Sequence, residues 1–417
     1  MLKAFAVSHW WDDPYSLGAW SGLRVGAGPQ VRAKLGEPVS PRLMLAGEYT
    51  NPEQAGMTHG AYEEGVRAAQ AMLTAGHRRV AVVGAGFAGL GAAATLAAGG
   101  ANVVMLEARG RIGGRAHTTV LGETPVELGA NWLQQGARNS LRAMAVRAGL
   151  DTVETDFHQP LDLGPPSRLA GPDLGAMADE FRQWLVQMPG PDCSLAAAAG
   201  KWMADATGRE PSRMRAMVDF EILLDSGIAL ADTSARHSWE PGVGAGDAWL
   251  PDGYGRLQRM LAHGLDIRLG SEVNVIADTG GEVQLSGPCV DETADAVIVC
   301  VPAAVLRAGR IAFDPPLPAG HQAALGQLAT GRVEKVALEF DARWWPVSPS
   351  GYLRTAGARQ GLVAEWLDMT DTVGRPVITG IFAGDWAAQI WRADDDAAIA
   401  QGAAAALETA VRASGLD

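Results

Sequence analysis

The sequence predicts an α/β protein of two lobes, one built on a doubly wound parallel sheet and the other α+β in character. Three observations carry this expectation. A chain of 417 residues is long for a single hydrophobic core and favours two. Between Val80 and Glu107, an apolar strand, a glycine-rich turn, an alanine-rich helix and a second apolar strand follow in the order of a βαβ unit. Elsewhere, short alternating strands such as Glu334–Phe340 are interleaved with helical runs and proline-rich turns.

The composition excludes several classes. Hydrophobic residues make up 47% and charged ones 19%, which is ordinary for a folded globular chain. A formal net charge of −13 argues against nucleic acid as a partner, because such binding needs a basic face. The three cysteines, Cys193, Cys289 and Cys300, are scattered and fit a reducing compartment rather than a disulfide framework. No CxxC or HExxH motif offers a metal site. The uncharged stretch Val80–Leu106, about 27 residues, has the length of a membrane span, but its glycines fall at turn spacing. The N-terminal "MLKAFAVSHWW" lacks the pattern of a signal peptide. A cytoplasmic protein with no membrane partner is expected.

The βαβ unit can be read residue by residue. Val80–Val83 is the apolar run of a strand buried on both faces. Gly84, Gly86 and Gly89 form GxGxxG. The first allows the tight turn, the second lets a pyrophosphate approach the backbone, and the third lets helix and strand pack closely. Leu90–Ala98 is the helix whose positive end meets the phosphates. Asn102–Leu106 is the second strand, and Glu107 ends it about 20 residues after the glycines, where an acid accepts bonds from ribose hydroxyls. Such a unit binds a dinucleotide in a Rossmann-type fold. Its contacts are expected from Gly84, Ala85, Gly86, Phe87, Ala88, Gly89, Glu107, Ala108 and Arg109.

The segments "LEARGRIGGRAHT" and "VELGANWLQ" decide which dinucleotide. They resemble the flavin-containing amine oxidase family, which includes monoamine oxidases, polyamine oxidases and lysine-specific histone demethylases. The resemblance implies non-covalent FAD, because Ala19 stands where monoamine oxidases carry a tethering cysteine. It implies that Gly114 and Arg115 face the pyrophosphate, that Asn131 and Trp132 lie against the flavin, and that Val273 contacts the adenine. It assigns Gly47 and Glu48 of "AGEYT" to the ribityl and phosphate region. Met57 and Thr58 would present backbone amides to the flavin from the start of a helix Thr58–Leu73. Core packing for Met57 and an N-cap for Thr58 are the plainer readings of those residues.

In the family, "EKVALEFDARWWP" carries the flavin-facing lysine, which corresponds to Lys335. Strand alternation puts Lys335, Ala337 and Glu339 on one face and Val336, Leu338 and Phe340 on the other, so a solvent-facing lysine is the competing reading. The resemblance gives Trp20 an aromatic position that faces the flavin in many relatives, where its π face would guide the substrate amine. Gly56 replaces the second aromatic wall of monoamine oxidases and opens the pocket to a bulkier amine.

The segments that close the family's chain stand here at residues 10–73, ahead of the nucleotide motif, so the order looks circularly permuted. The new ends are expected in an exposed loop between a helix ending near Ser414 and a strand near Ala4–His9. The bland alternative is a fusion or gene-assembly accident that leaves an inactive product. The expected division is a discontinuous FAD-binding domain, 11–150 and 242–313, and a substrate-binding domain, 1–10, 151–241 and 314–417. Of Trp184, Trp202, Trp239 and Trp249, most should be core and one or two should line the pocket.

The expected activity is oxidation of a small-molecule amine by hydride transfer from the carbon beside nitrogen to flavin N5, followed by imine hydrolysis and reduction of dioxygen to peroxide. An L-amino-acid oxidase is the nearest alternative, disfavoured by His117 after GGRA. A desaturase or porphyrinogen oxidase is disfavoured by Lys335. A flavin-binding scaffold without turnover is the alternative of another class. Oligomeric state is open, a homodimer being one option.

Overall fold

The computed structural model describes residues 1–157, 159–166, 174–205, 210–237, 246–357, 361–393 and 395–416. Its parallel sheet has five strands in the order Asp266–Leu269, Asn102–Glu107, Arg79–Val83, Ala296–Val299 and Leu43–Leu45. Each neighbouring pair is parallel, and Val80–Val83, the middle of the sheet, is buried as its unbroken apolar pattern requires. The helix after the glycine turn, Phe87–Ala98, begins one turn earlier than Leu90. It is almost entirely buried because a second helix, Thr58–Thr74, lies on its outer side.

The contact between these two helices is set by small residues. A Cβ at Gly65 would stand 1.9 Å from the carbonyl oxygen of Ala88, and one at Gly91 would stand 2.6 Å from that of Tyr62. The backbones therefore approach as closely as glycine permits. Met44, Ala68, Met72, Leu90, Leu96 and Ile298 fill the core between helices and sheet.

A second sheet has six strands, in the order Leu2–Val7, Val333–Phe340, Val377–Ala383, Val363–Asp368, Tyr352–Ala356 and Leu161–Leu163. It is antiparallel except for its last pair. Val336, Leu338 and Phe340 pack on one face with the helix Asp396–Ser414. That helix crosses the sheet: His9 meets Asp396 at one edge, and Ser414 accepts from the Gly164 amide at the other. The first strand and the end of the last helix thus stand at opposite edges. The ends are exposed, as expected of a loop between them, but a loop joining them would have to span the sheet. Crossing a six-stranded sheet means about 24 Å at normal strand spacing.

Helices Leu174–Gln187, Leu195–Asp205 and Pro211–Val218 gather Met177, Phe181, Leu195, Trp202 and Met217 into a further core. Trp202 and Trp249 are buried and Trp184 packs against the same cluster. None of these three lines the central cavity described below. Trp239 and the 241/242 boundary lie outside the described residues. No helix among the described residues is long and apolar enough to cross a membrane, and the described residues hold no metal-binding cluster of acids, histidines and cysteines.

Candidate active site

One elongated cavity of about 580 Å³ runs from the glycine turn to the six-stranded sheet. Gly84, at φ +97°, makes the turn at the strand end. Gly84, Gly86, Phe87 and Ala88 line the cavity where the helix begins. Gly89 stands behind them, where a Cβ would lie 1.9 Å from the Gly84 carbonyl oxygen. Ala85 also lies outside the lining, its amide donating to Glu107 Oε2 at 2.7 Å. Glu107 Oε1 accepts from the Arg109 amide at 2.8 Å. The acid therefore braces the turn as well as lining the cavity together with Ala108 and Arg109.

Gly113 and Gly114, both at positive φ, fold the next segment against the turn. A Cβ on Gly114 would be 3.3 Å from the Gly86 Cα, so glycine at 114 is what lets the two segments approach. Arg115 reaches from that loop to the Ala19 carbonyl and to Glu48 Oε1, the latter at 3.1 Å. Glu48, 4% exposed, also accepts from the Ser21 amide, the Ser21 hydroxyl and the Gly56 amide. Gly47 and Glu48 come from the early part of the chain, yet they border the same cavity as the turn at Gly84.

The helix Thr58–Thr74 points its N-terminus into the cavity, with Gly56, Met57 and Thr58 at the rim. The N-cap reading of Thr58 is corrected: Met57 occupies the cap position, and Thr58, the first helical residue, meets the Tyr254 hydroxyl at 3.0 Å. Met57 is 9% exposed. Gly56 has φ +74°, and a Cβ there would approach Trp20 Cδ1 to 3.2 Å, so a larger residue would be strained twice over. Trp20 and Trp132 line the cavity.

Lys335 overturns the solvent-facing reading, being 3% exposed. Its strand is covered on both faces, and period two cannot distinguish a solvent face from an internal cavity. Its Nζ donates to the Gly129 carbonyl and to Asn131 Oδ1, each at 3.0 Å, and lies 5.8 Å from the centre of the Trp132 ring. Burial pulls its pKa down to about 8, against the opposing pull of the Glu127 and Glu365 charges. Burial likewise pushes Glu127 well above the usual carboxylate range.

At the opposite end the cavity is bordered by Val273, Ser271 and Glu272. The segment Asp13–Ser16 lies beside it: Asp13 and Ser16 hold the Arg109 guanidinium at 2.6 and 2.7 Å. Tyr15 lies under that guanidinium and donates to Glu272 at 3.1 Å. The sequence reading places Asp13, Tyr15 and Ser16 only by their order in the chain and gives them no role. It also passed over Glu127 and Glu365, because a single acid in a strand carries no motif.

A glycine cradle at a helix end, a second helix end facing it and a buried lysine beside an aromatic ring define a nucleotide-dependent oxidoreductase class of site. The comparisons with known proteins agree. Residues 3–73, 87–168 and 198–415 match the family model for flavin containing amine oxidoreductases, and the chain belongs to that family; it is a flavin-dependent amine oxidase. It is 30% identical over 359 residues to polyamine oxidase 3 of Oryza sativa subsp. japonica, covering 76% of this chain and 70% of the relative. It is 30% identical over 368 residues to human lysine-specific histone demethylase 2, covering 78% of this chain and 43% of that protein. Among solved structures, putrescine oxidase bound to putrescine superposes with a TM-score of 0.63 at 20% identity, over 81% of this chain and 82% of the other. Cyclohexylamine oxidase from Brevibacterium oxydans superposes with a TM-score of 0.64 at 19% identity, over 80% and 81%. These two likenesses concern the fold.

Proposed function

We propose that the chain binds FAD non-covalently and oxidises an amine at the carbon bearing nitrogen, with dioxygen as the final acceptor and hydrolysis of the imine to a carbonyl compound. The observation that carries this reading is the meeting of Lys335, Trp20, Trp132 and the Met57–Thr58 helix end in the cavity that begins at Gly84. The cradle at Gly84, Gly86 and Gly114 fits a pyrophosphate, because side chains there would fill the space. Val273 and Glu107 suit the adenosine half, while Arg115 supplies a cation and Glu48 an acceptor in the middle. Ala19, which lines the cavity, has no thiol with which to tether the cofactor.

When bound, the flavin supplies a two-electron acceptor that dioxygen can return to its oxidised form. Met57 and Thr58, at the positive end of Thr58–Thr74, would hold the flavin through their amides and would stabilise negative charge on it. Trp20 would guide the amine, and Gly56 leaves the flank of that indole open. Lys335, held by two neutral acceptors, keeps a donor beside the reacting face and changes protonation within reach of neutral pH. The apolar walls from Ile222, Leu224, Val333 and Ile381 exclude water from the C–H bond. His117 does not line this cavity and so offers no cation there to an amino-acid carboxylate. That favours a simple amine over an amino acid.

We also propose that the chain order is permuted and that the two-domain division follows the boundaries given above. Support comes from residues 10–73 bordering the same cavity as the motif that follows them. The activity is tested by the absorbance of the purified protein and its bleaching by amines without oxygen, followed by a peroxide-coupled screen of amines and amino acids. A yellow protein that amines bleach, with peroxide formed in air, is the expected result. A protein that holds flavin but is reduced by no amine or amino acid would leave the scaffold reading standing.

A further inference from the structure

A second cavity, of about 350 Å³, lies back to back with the first. It forms where the end of strand Leu2–Val7 runs into its turn and meets the segment Arg109–His117, which carries the glycine pair. Arg109, Arg111 and His117 supply its polar wall, and Val7, Trp10 and Leu128 its apolar one. Trp10 and Arg109 border both cavities, whereas Arg111 and His117 border only this one. Nothing in the amine-oxidation reading uses it.

The charges around this cavity do not balance. Three acids act on Arg111 from a distance, and all three are engaged elsewhere. Asp13 receives the Arg109 guanidinium on one oxygen and the Tyr15 amide on the other, at 2.6 and 2.8 Å. Glu107 receives the amides of Ala85 and Arg109, and Glu127 the Thr118 hydroxyl and the Tyr254 amide. His9, also at the cavity, is taken by Asp396 at 2.7 Å. Arg111 itself makes no ion pair among the described residues. Its Nη1 donates to the carbonyls of Ile112 and Gly114, at 3.2 and 2.9 Å, and Nε and Nη2 donate to none of the described residues. Its guanidinium carbon lies 5.9 Å from the centre of the Trp10 ring.

Burial, with Arg109 beside it, pulls the Arg111 pKa down to about 10 although the three acids pull the other way. A desolvated guanidinium is short of counter-charge there. His117 feels the same field: burial and then the charges of Arg111 and Arg109 lower its pKa to about 4. Its neutral ring keeps one N–H to donate, and neither ring nitrogen is hydrogen-bonded to a described residue. A chain of net charge −13 thus contains a pocket of uncompensated positive field.

We propose that this cavity is a binding site for a small organic carboxylate, its head held by Arg111 and His117 and its apolar body lying on Trp10 between Val7 and Leu128. The Nε–Nη2 edge of a guanidinium matches a carboxylate with two parallel hydrogen bonds. The volume is more than a bare inorganic ion fills and stands at the low end of organic ligand sites, roughly 300–1,000 Å³. One edge of Arg111 then grips the ligand while the other stays on Gly114, so a single side chain joins this site to the loop of the cofactor cradle.

Benzoate is the probe, and benzamide is its uncharged counterpart of the same shape. Calorimetry on the purified protein should find benzoate bound at least about tenfold more tightly than benzamide, the scale of a charge-assisted hydrogen bond. It should also bind more tightly than inorganic phosphate, which has no apolar body. In folded Arg111→Gln the preference for benzoate over benzamide should disappear, and Arg111→Lys should keep part of it. His117→Trp, which fills the cavity and leaves Arg111 in place, should weaken both ligands. The site is overturned if the wild type binds no benzoate, binds benzamide equally well or binds phosphate as tightly. Benzoate affinity unchanged in folded Arg111→Gln or in His117→Trp overturns it too, by placing the ligand elsewhere. Should Arg111→Gln not fold, His117→Trp decides alone.

Discussion

Lys335 shows how much one buried side chain can govern. Its ammonium rests on two neutral oxygens, from Gly129 and Asn131, so its charge is stabilised at a distance by Glu127 and Glu365 rather than by a contact. Replacement by Met should preserve the apolar stem and flavin retention. It should slow flavin reduction or reoxidation by about two orders of magnitude, at the low end of what a positioned proton-handling group contributes. Stopped-flow measurement of both half-reactions checks this, and unchanged rates would remove Lys335 from the mechanism. The pH dependence has a definite sign. Lys335 is charged below its folded pKa of about 8 and neutral above it, and a negative Glu127 raises that value. Glu127→Gln should therefore move the Lys335-dependent limb of the rate profile to lower pH, read from flavin reduction rates across the alkaline range.

Among the elements, the paired helices Thr58–Thr74 and Phe87–Ala98 decide the shape of the cofactor cavity. Each aims its N-terminus at that cavity, and glycine contacts hold them at close range. Gly65→Ala places a methyl group 1.9 Å from the Ala88 carbonyl oxygen, so one helix must shift. A loss of about 1–3 kcal/mol is expected, visible as a lowered melting temperature with weakened flavin retention. Gly200→Ala is the control: it also lies inside a helix, and nothing lies within 4 Å of a Cβ there. An equal loss at Gly200 would mean that the clash with Ala88 is not what makes Gly65 necessary.

At the scale of the whole molecule, the arrangement of segments matters more than their order along the chain. Residues 43–45 close one edge of the parallel sheet although they precede its central strand, and residues 2–7 close an edge of the six-stranded sheet. If the order is a permutation, a chain reopened between Gly76 and His77, with its present ends joined, should refold and hold flavin. The join must cross the sheet from the Ser414 edge to the Leu2 edge, so a flexible linker of about a dozen residues is needed. Retained flavin absorbance and amine-dependent bleaching check the design. A folded product that binds no flavin would count against the permuted reading.

The sequence by itself determined the nucleotide cradle, because GxGxxG between an apolar strand and a helix is a local pattern whose backbone needs are met by glycine alone. It also marked Lys335, Trp20 and the Gly47–Glu48 pair through motifs. It erred on Thr58, where tertiary contact with Tyr254 rather than capping occupies the hydroxyl. It expected most of Trp184, Trp202, Trp239 and Trp249 to be core, as Trp202 and Trp249 are, but had no way to tell which would line the pocket. Only the tertiary structure decided that Lys335 faces a cavity instead of water, since an alternating strand looks the same in either case. Likewise, only strand register set Glu365 beside it, because pairing across three strands joins residues 30 positions apart with no trace in local spacing. Backbone geometry is written in short stretches of sequence; the meeting of charges is written in the packing.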